Sequence, residues 1–221
     1  MLKVMAINGS PRKDWNTAKL LESALAGVQS VASAETEIVH LYQYKYSGCR
    51  SCYQCKRLGN HTTGKCALHD EITPALERAA EADILLLGTP IYFWDVTGEM
   101  QCFIERLLFP YNVYEFPPTS LWKKKTVAGL FFSMNMSRER CEQSLILSNV
   151  ERMKIMLQRI LGTEPEYTLA HETMEVSDYS KYYMPRFDQQ IKMKRREEVF
   201  PKELQEAYEV GVKLAKQLIE Q

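Results

Sequence analysis

The sequence predicts an α/β fold built on a parallel sheet. Three observations carry this. Short apolar runs with strand character alternate along the chain with stretches of helical periodicity. Two of those runs, 83–88 and 126–132, are almost wholly apolar, as strands covered on both faces must be. The first run ends on Asn8-Gly9-Ser10-Pro11, a turn signal that leads directly into a helix.

Taken in order, residues 2–7 (LKVMAI) read as a first strand. Leu20, Leu21, Ala24, Leu25 and Val28 recur at helical spacing and mark a helix near 16–31. Residues 36–41 (TEIVHL) read as a second strand. The segment 42–70 carries Tyr42, Tyr44, Tyr46 and Tyr53, four cysteines, and Gly48, Gly59 and Gly64. It reads as a long loop, and such loops in compact domains are usually functional or disordered. A helix is expected near 71–81, a strand at 83–88, a turn at 89–96, and a helix marked by Met100, Phe103, Ile104, Leu107 and Leu108. A linker over 109–123 leads to the strand 126–132. One long helix is expected near 138–161, with Ile146, Val150, Met153, Leu157, Ile160 and Leu161 on one face, then a strand at 165–170. Residues 171–200 are polar, rich in tyrosine and without a clear period. A closing helix near 201–219 starts with Pro201, a good first-turn residue, and would bury Leu204, Ala207, Tyr208, Gly211, Leu214 and Leu218.

Strands alternating with helices imply right-handed crossovers. Five strands fit a doubly wound sheet of the flavodoxin type, order 2-1-3-4-5, in a three-layer sandwich. Ligands bind such sheets at the carboxyl ends of the strands, near the switch point. That directs attention to the loops 8–16, 89–96 and 133–137.

Composition narrows the function. At 221 residues one enlarged domain spanning 1–221 is expected, with 42–70 as an insertion and 171–200 as a variable segment. Lys+Arg and Asp+Glu both number 28, so there is no basic excess to suit a nucleic-acid partner. No run approaches the about 18 apolar residues of a spanning helix. The first residues, MLKVMAINGSPRK, lack the basic and then apolar regions of a secretory signal, so a cytoplasmic protein is expected.

The first loop, residues 8–17, would present free backbone N–H groups at a helix N-terminus, a ready anion site. Ser10, Asn16 and Thr17 add neutral donors, and Arg12 adds a guanidinium that can charge-assist the contact. The loop is neither a dinucleotide fingerprint nor a P-loop. Its donors suit a phosphate monoester, such as the end of a flavin mononucleotide; the plain alternative is a turn with Asn16 or Thr17 as helix cap. The second loop, Thr89-Pro90-Ile91-Tyr92-Phe93-Trp94-Asp95, offers aromatic and aliphatic faces with backbone donors, which a flat ring with polar edges needs. Core filling or a dimer contact would explain the same aromatics. The third loop, with Ser133 and Asn135, is a candidate for the same ligand or an ordinary turn.

Cys49, Cys52, Cys55 and Cys66 are spaced C-x2-C-x2-C-x10-C. In a chain without a signal peptide such a cluster suggests metal or redox chemistry before a disulfide framework. Four thiolates could hold an iron–sulfur cluster or a tetrahedral zinc ion, two could form a reversible disulfide, or all could pack as small apolar groups. No metal is assigned. The run Lys192–Arg196 reads as a solvated face, with attraction of cofactor phosphates as a lesser reading.

The stretch NGSPRKDWNT resembles the phosphate loop of the NAD(P)H-dependent FMN reductases of the flavodoxin-like superfamily, often written G-S-P-R-x-x-G-N-T. GTPIYFWDVTGEMQCFIERLLFP resembles that family's third-strand segment, whose Pro-x-Tyr loop lies against the flavin. GCRSCYQCKRLGNHTTGKCALHDEI resembles the cysteine-rich insertion of a branch related to iron–sulfur flavoproteins, and FPKELQEAYEVGVKLAKQL that branch's final helix. Trp15 stands where the family often has glycine, and the last cysteine spacing is longer than is usual in iron–sulfur relatives. The resemblance implies FMN bound by Ser10, Arg12, Asn16, Thr17, Thr89, Pro90, Ile91, Tyr92, Phe93, Trp94, Ser133 and Asn135. NAD(P)H would be the hydride donor, and a quinone, flavin, nitro or azo compound the small-molecule acceptor. It also implies a homodimer or higher homo-oligomer and no catalytic triad, because the cofactor carries the chemistry. An iron–sulfur electron carrier between ferredoxin-like partners is the alternative; a domain that keeps only the fold is a third.

Overall fold

The computed structural model describes residues 1–59 and 64–220. Five strands, β1 (Leu2–Asn8), β2 (Ala34–His40), β3 (Ile84–Pro90), β4 (Val127–Ser133) and β5 (Glu166–Ala170), form one sheet of order β2-β1-β3-β4-β5. Every neighbouring pair is parallel. This is the expected topology, and the strand positions agree to within two residues.

Period-two alternation explains the apolar runs. On β1, Val4 and Ala6 face one layer while Met5 and Ile7 face the other; Ile84 and Leu86 on β3 are opposed by Leu85 and Leu87 in the same way. On β4, Val127 and Phe131 join the first layer, and Ala128, Leu130 and Phe132 the second. The first layer is completed by α1 (Asn16–Val31) and α7 (Phe200–Ile219). The second is completed by α2 (Thr73–Ala80), α3 (Gly98–Leu108) and α5 (Ile146–Leu161).

One expectation needs correction, and two segments gain structure that the sequence left open. The long helix over 138–161 is two helices, α4 (Arg138–Glu142) and α5. Ser144 separates them: its hydroxyl donates to the Cys141 carbonyl at 2.8 Å and accepts from the Ile146 N–H at 3.2 Å. A serine whose side chain bonds nearby backbone in this way competes with the helical ladder. The unassigned segment 171–200 contains α6 (Gln189–Glu198), started by Asp188, whose carboxylate accepts from the Ile191 N–H at 3.0 Å. The linker 109–123 is closed on itself by a bridge between Asn112 and Ser120.

Helices α1 and α7 touch backbone to backbone. A Cβ on Gly27 would lie 2.1 Å from the Tyr208 carbonyl oxygen, and one on Gly211 would lie 2.0 Å from that of Ala24. Only glycine allows this approach. Gly211→Ala should therefore force the helices apart and lower stability by about 1–3 kcal/mol, the usual cost of overpacking. Urea unfolding of the two proteins checks this, and equal midpoints would contradict it.

Candidate functional site

The three loops do meet at the carboxyl edge of the sheet. Beyond β1, Asn8 Oδ1 accepts from the Ser10 N–H at 2.9 Å and Ser10 Oγ accepts from the Arg12 N–H at 3.1 Å. These short side-chain bonds shape the turn, as in Asx motifs. Helix α1 then opens with Trp15 in the cap position and no side-chain cap. Neither Asn16 nor Thr17 caps it. Asn16 Nδ2 donates to the Met174 carbonyl at 2.8 Å, its Oδ1 accepts from Arg196, and the Thr17 hydroxyl meets Ser133 Oγ at 2.9 Å. The Arg12 guanidinium donates to the Glu175 carbonyl. Trp15 turns outward: its indole N–H donates to the Met174 carbonyl at 2.8 Å, and Arg12 and Arg196 lie over its ring at 5.8 and 5.6 Å. Its φ of −105° needs no glycine.

The loop after β3 is a tight hairpin. Tyr92 and Asp95 exchange backbone hydrogen bonds, 2.8 and 3.1 Å. Between them Phe93 and Trp94 both take left-handed backbone, φ 48° and 67°. Two such residues in succession match the mirror-image hairpin turn, normally built from Asn and Gly. Bulky residues there are strained and persist only where the surroundings hold them. Here α5 does so: Asn149 Nδ2 donates to the Trp94 carbonyl at 2.9 Å, and one Arg152 Nη binds both Asp95 oxygens at 2.9 and 3.0 Å. The rings do not fill core; Phe93 is 92% exposed, Trp94 49% and Tyr92 48%. Thr89 is buried below the turn. It accepts from the Thr97 N–H at 3.2 Å, and Thr97 Oγ1 donates to the Gly9 carbonyl at 2.8 Å, tying the first loop to the second. The Pro90 carbonyl accepts from Thr89 Oγ1 at 2.9 Å, and the Ile91 N–H donates to the Ser133 carbonyl at 2.9 Å.

Beyond β4, residues 134–136 pair with 170–173 through Met134 N–H to Ala170, Thr173 N–H to Met134 and Glu172 N–H to Met136, 2.8–3.0 Å. Asn135 Oδ1 accepts from the Lys192 ammonium, which also donates to the Glu172 carbonyl at 3.1 Å. A cleft of about 640 Å³ opens between these loops and α6. Ile91, Phe93, Trp94, Met134, Met136 and Phe187 give it apolar surface; its polar lining includes Asn135, Glu175 and Lys192, and also Arg140, Glu172, Arg186 and Asp188. Ile91, Phe93, Trp94 and Asn135 thus share one cleft. Ser10, Asn16 and Thr17 do not open onto it; they are buried, Asn16 beneath residues 174–196.

Sequence reasoning missed Glu175 and Lys192, and the reading of Lys192–Arg196 as a solvated face is overturned. Lys192 is 6% exposed, Arg195 binds Glu203 at 2.7 Å, and Arg196 lies 4.3 Å over the Phe200 ring. Burial draws the Lys192 ammonium below the usual lysine range, with Glu172 and Glu175 partly offsetting. Burial pushes the Glu175 carboxyl up; Lys192, Asn135 and Arg12 partly restore its charged form. Asn135 lies close to that carboxylate, yet neither Asn135 Nδ2 nor Glu175 Oε2 makes a hydrogen bond of normal geometry, though both atoms are buried.

The cysteines form a second feature. All six are free thiols. Cys49, Cys52, Cys55 and Cys66 line one cavity of about 290 Å³ with Arg106. Arg106 is buried, pairs with Asp70, and donates to the Ser47 and Leu68 carbonyls at 3.3 and 2.7 Å, so it staples both ends of the loop to α3. Its Nε is buried without a partner. Ser51 and Tyr53 between the cysteines take left-handed backbone, φ 51° and 54°. Among the described residues no three ligand groups converge on a single ion position. His61 and His69 flank Cys66 in the sequence, a spacing that also admits a mixed site, and His61 lies outside the described residues. Cys141 is packed against α5 in the second layer.

Residues 2–159 match the family described as NADPH-dependent FMN reductase. The chain belongs to that family. Among relatives of the FMN reductase fold, an iron-sulfur flavoprotein of Archaeoglobus fulgidus is 40% identical over 105 residues, 48% of each chain. An iron-sulfur flavoprotein of Methanocaldococcus jannaschii is 33% identical over 105 residues, 48% of this chain and 51% of that one. The chain spans about half the length of the curated relatives it matches. An NAD(P)H:quinone oxidoreductase from Methanothermobacter marburgensis superposes with a TM-score of 0.68 at 18% identity, over 96% of this chain and 98% of that one, a likeness of fold. No described helix is long and apolar enough to cross a membrane.

The raised Glu175 carboxyl has a thermodynamic consequence. A group that binds its proton more tightly when folded contributes stability below its unfolded pKa of 4.5, and loses that contribution as pH rises through its folded value. Glu175→Gln should therefore gain stability relative to the parent as pH rises from 4.5 toward neutrality. Thermal unfolding of both proteins across that range checks this; a parallel pair of pH profiles would refute it.

Proposed function

We propose that this chain is an FMN-dependent oxidoreductase that accepts hydride from NAD(P)H and reduces a small-molecule acceptor: a quinone, a flavin, or a nitro or azo compound. The observation that carries the reading is the cleft at the sheet's carboxyl edge. It has apolar surface wide enough for a flat ring, and a buried donor and acceptor without partners in its polar lining. The uncapped N-terminus of α1 fits the other end of the same cofactor, because first-turn N–H groups without a side-chain cap favour an anion.

Bound FMN supplies the two-electron chemistry. The protein's part is to bind and orient. Ser10, Arg12, Asn16 and Thr17 would hold the phosphate, Arg12 giving up the Glu175 carbonyl and Asn16 its bonds to Met174 and Arg196 to do so. Thr89 and Ser133 fix the floor of the site. Pro90, Ile91, Tyr92, Phe93 and Trp94 present the hairpin to the ring, and Asn135 reaches its polar edge. The exposed rings of Phe93 and Trp94 stand at the mouth, where they limit water at the ring face and leave room for a nicotinamide. We place the protein in the cytoplasm as a homodimer, in keeping with a small-molecule enzyme.

The test is an absorption spectrum after FMN reconstitution, then anaerobic NADPH. The yellow band should appear on the protein and bleach; persistence of the band after NADPH would sink the reductase reading. Arg12→Ala should weaken FMN binding about tenfold or more, the value of one charge-assisted hydrogen bond, measured by fluorescence titration. Undiminished affinity would remove Arg12 from the phosphate site.

A second reading has its own support. The four loop cysteines line one cavity with a buried guanidinium. Four thiolates are the donor set of an iron–sulfur group, and the cation would offset thiolate charge. In this reading the chain passes single electrons between ferredoxin-like partners and FMN. Anaerobic purification with iron and acid-labile sulfide assays decides it: about four irons per chain support the carrier, and none leaves the reductase.

A further inference from the structure

We propose that Asn135, Glu175 and Lys192 form a donor–acceptor–donor set that reads the cyclic imide edge of the flavin ring, with Glu175 as the residue that recognises the ring N–H. This rests on the FMN reading of the cleft. The three groups come from three places in the chain, the β4 loop, the strap after β5, and α6, and all line one cleft of mixed apolar and polar surface.

Their hydrogen-bonding states select the ligand. Asn135 spends its carbonyl oxygen on the Lys192 ammonium, which fixes the amide orientation and leaves Nδ2 as a buried donor without a partner. Glu175 Oε2 is a buried acceptor close to Asn135 but without a hydrogen bond of normal geometry to it, so the two groups stand side by side and open to a ligand. Lys192 is buried, donates to Asn135 Oδ1 and the Glu172 carbonyl, and lies 5.0 Å over the Phe187 ring, a weaker contact that a ligand carbonyl would replace as partner of its third donor. A buried donor or acceptor left unmade is costly, so a site that keeps several side by side is arranged for a ligand that satisfies them. An imide edge presents carbonyl, N–H and carbonyl in a row, the complement of donor, acceptor and donor. A phosphate would satisfy the two donors but repel the carboxylate. A plain aromatic acceptor would satisfy none of the three.

The strap is held in register for this. Thr173 and Glu172 pair with the β4 loop through backbone hydrogen bonds, and the Glu175 N–H donates to the Tyr179 hydroxyl at 3.0 Å. The Glu175 carbonyl accepts from Arg12. Glu175 therefore touches the proposed phosphate loop through its carbonyl and the cleft through its side chain.

The test compares FMN with 3-methyl-FMN, which lacks the ring N–H and keeps both carbonyls, by fluorescence titration of the whole protein. The parent should bind FMN about tenfold to a hundredfold more tightly, the worth of one buried hydrogen bond to a charged group. Glu175→Met should bring that ratio close to one. Lys192→Met should weaken both flavins by a similar factor and leave the ratio standing, because methylation does not touch the carbonyls. If Glu175→Met does not fold, Glu175→Gln, with a neutral acceptor, must narrow the ratio several-fold. A parent that binds both flavins equally, or a Glu175 variant that keeps the full ratio, overturns this proposal and leaves the FMN reading intact. A parent that binds neither flavin overturns the FMN reading and this proposal with it.

Discussion

Burial of the three central strands on both faces is the constraint from which the rest of the molecule follows. A parallel strand satisfied by helices above and below has no free face, so chemistry can gather only at its ends. β1, β3 and β4 end side by side, and their loops are then joined by polar bonds. Thr97 reaches the Gly9 carbonyl, Ile91 the Ser133 carbonyl, and Thr17 the Ser133 hydroxyl. These bonds link the phosphate-type loop, the aromatic hairpin and the β4 loop into one rigid rim. The backbone contact of α1 and α7 through Gly27 and Gly211 closes one layer.

The parts of the fold that could be read from sequence are those where the period of burial is simple. LKVMAI, DILLLG and TVAGLFF are legible because both faces are covered, and α1, α3 and α7 because their apolar stripes are regular. α6 was illegible for the opposite reason. Its buried residue is Lys192, a charged side chain that no hydrophobic pattern would select. The break at 143–145 was hidden because Ser144 acts through its hydroxyl and not through loss of apolar spacing.

The candidate site divides the same way. The loops were found because turn residues and aromatics cluster where a doubly wound sheet places its ligands. Glu175 and Lys192 escaped notice because their importance lies in partners more than forty residues away in the chain, Arg12 and Asn135. The Phe93–Trp94 conformation escaped it too. A mirror-image turn is signalled by Asn and Gly, and this one is imposed from outside by Asn149 and Arg152. Trp15, in a place where relatives often carry glycine, proved compatible because the backbone there is extended and the indole lies between two guanidinium groups.

The three tryptophans occupy three different mechanical positions. Trp122 is packed against Tyr111 in the second layer, Trp15 is pinned between α1 and α6, and Trp94 stands half-exposed at the mouth of the cleft. The protein thus carries its own optical gauges, one for the core, one for the docking of the strap, and one for whatever enters the cleft. Variants that keep one tryptophan each would separate global unfolding from local opening without any added label.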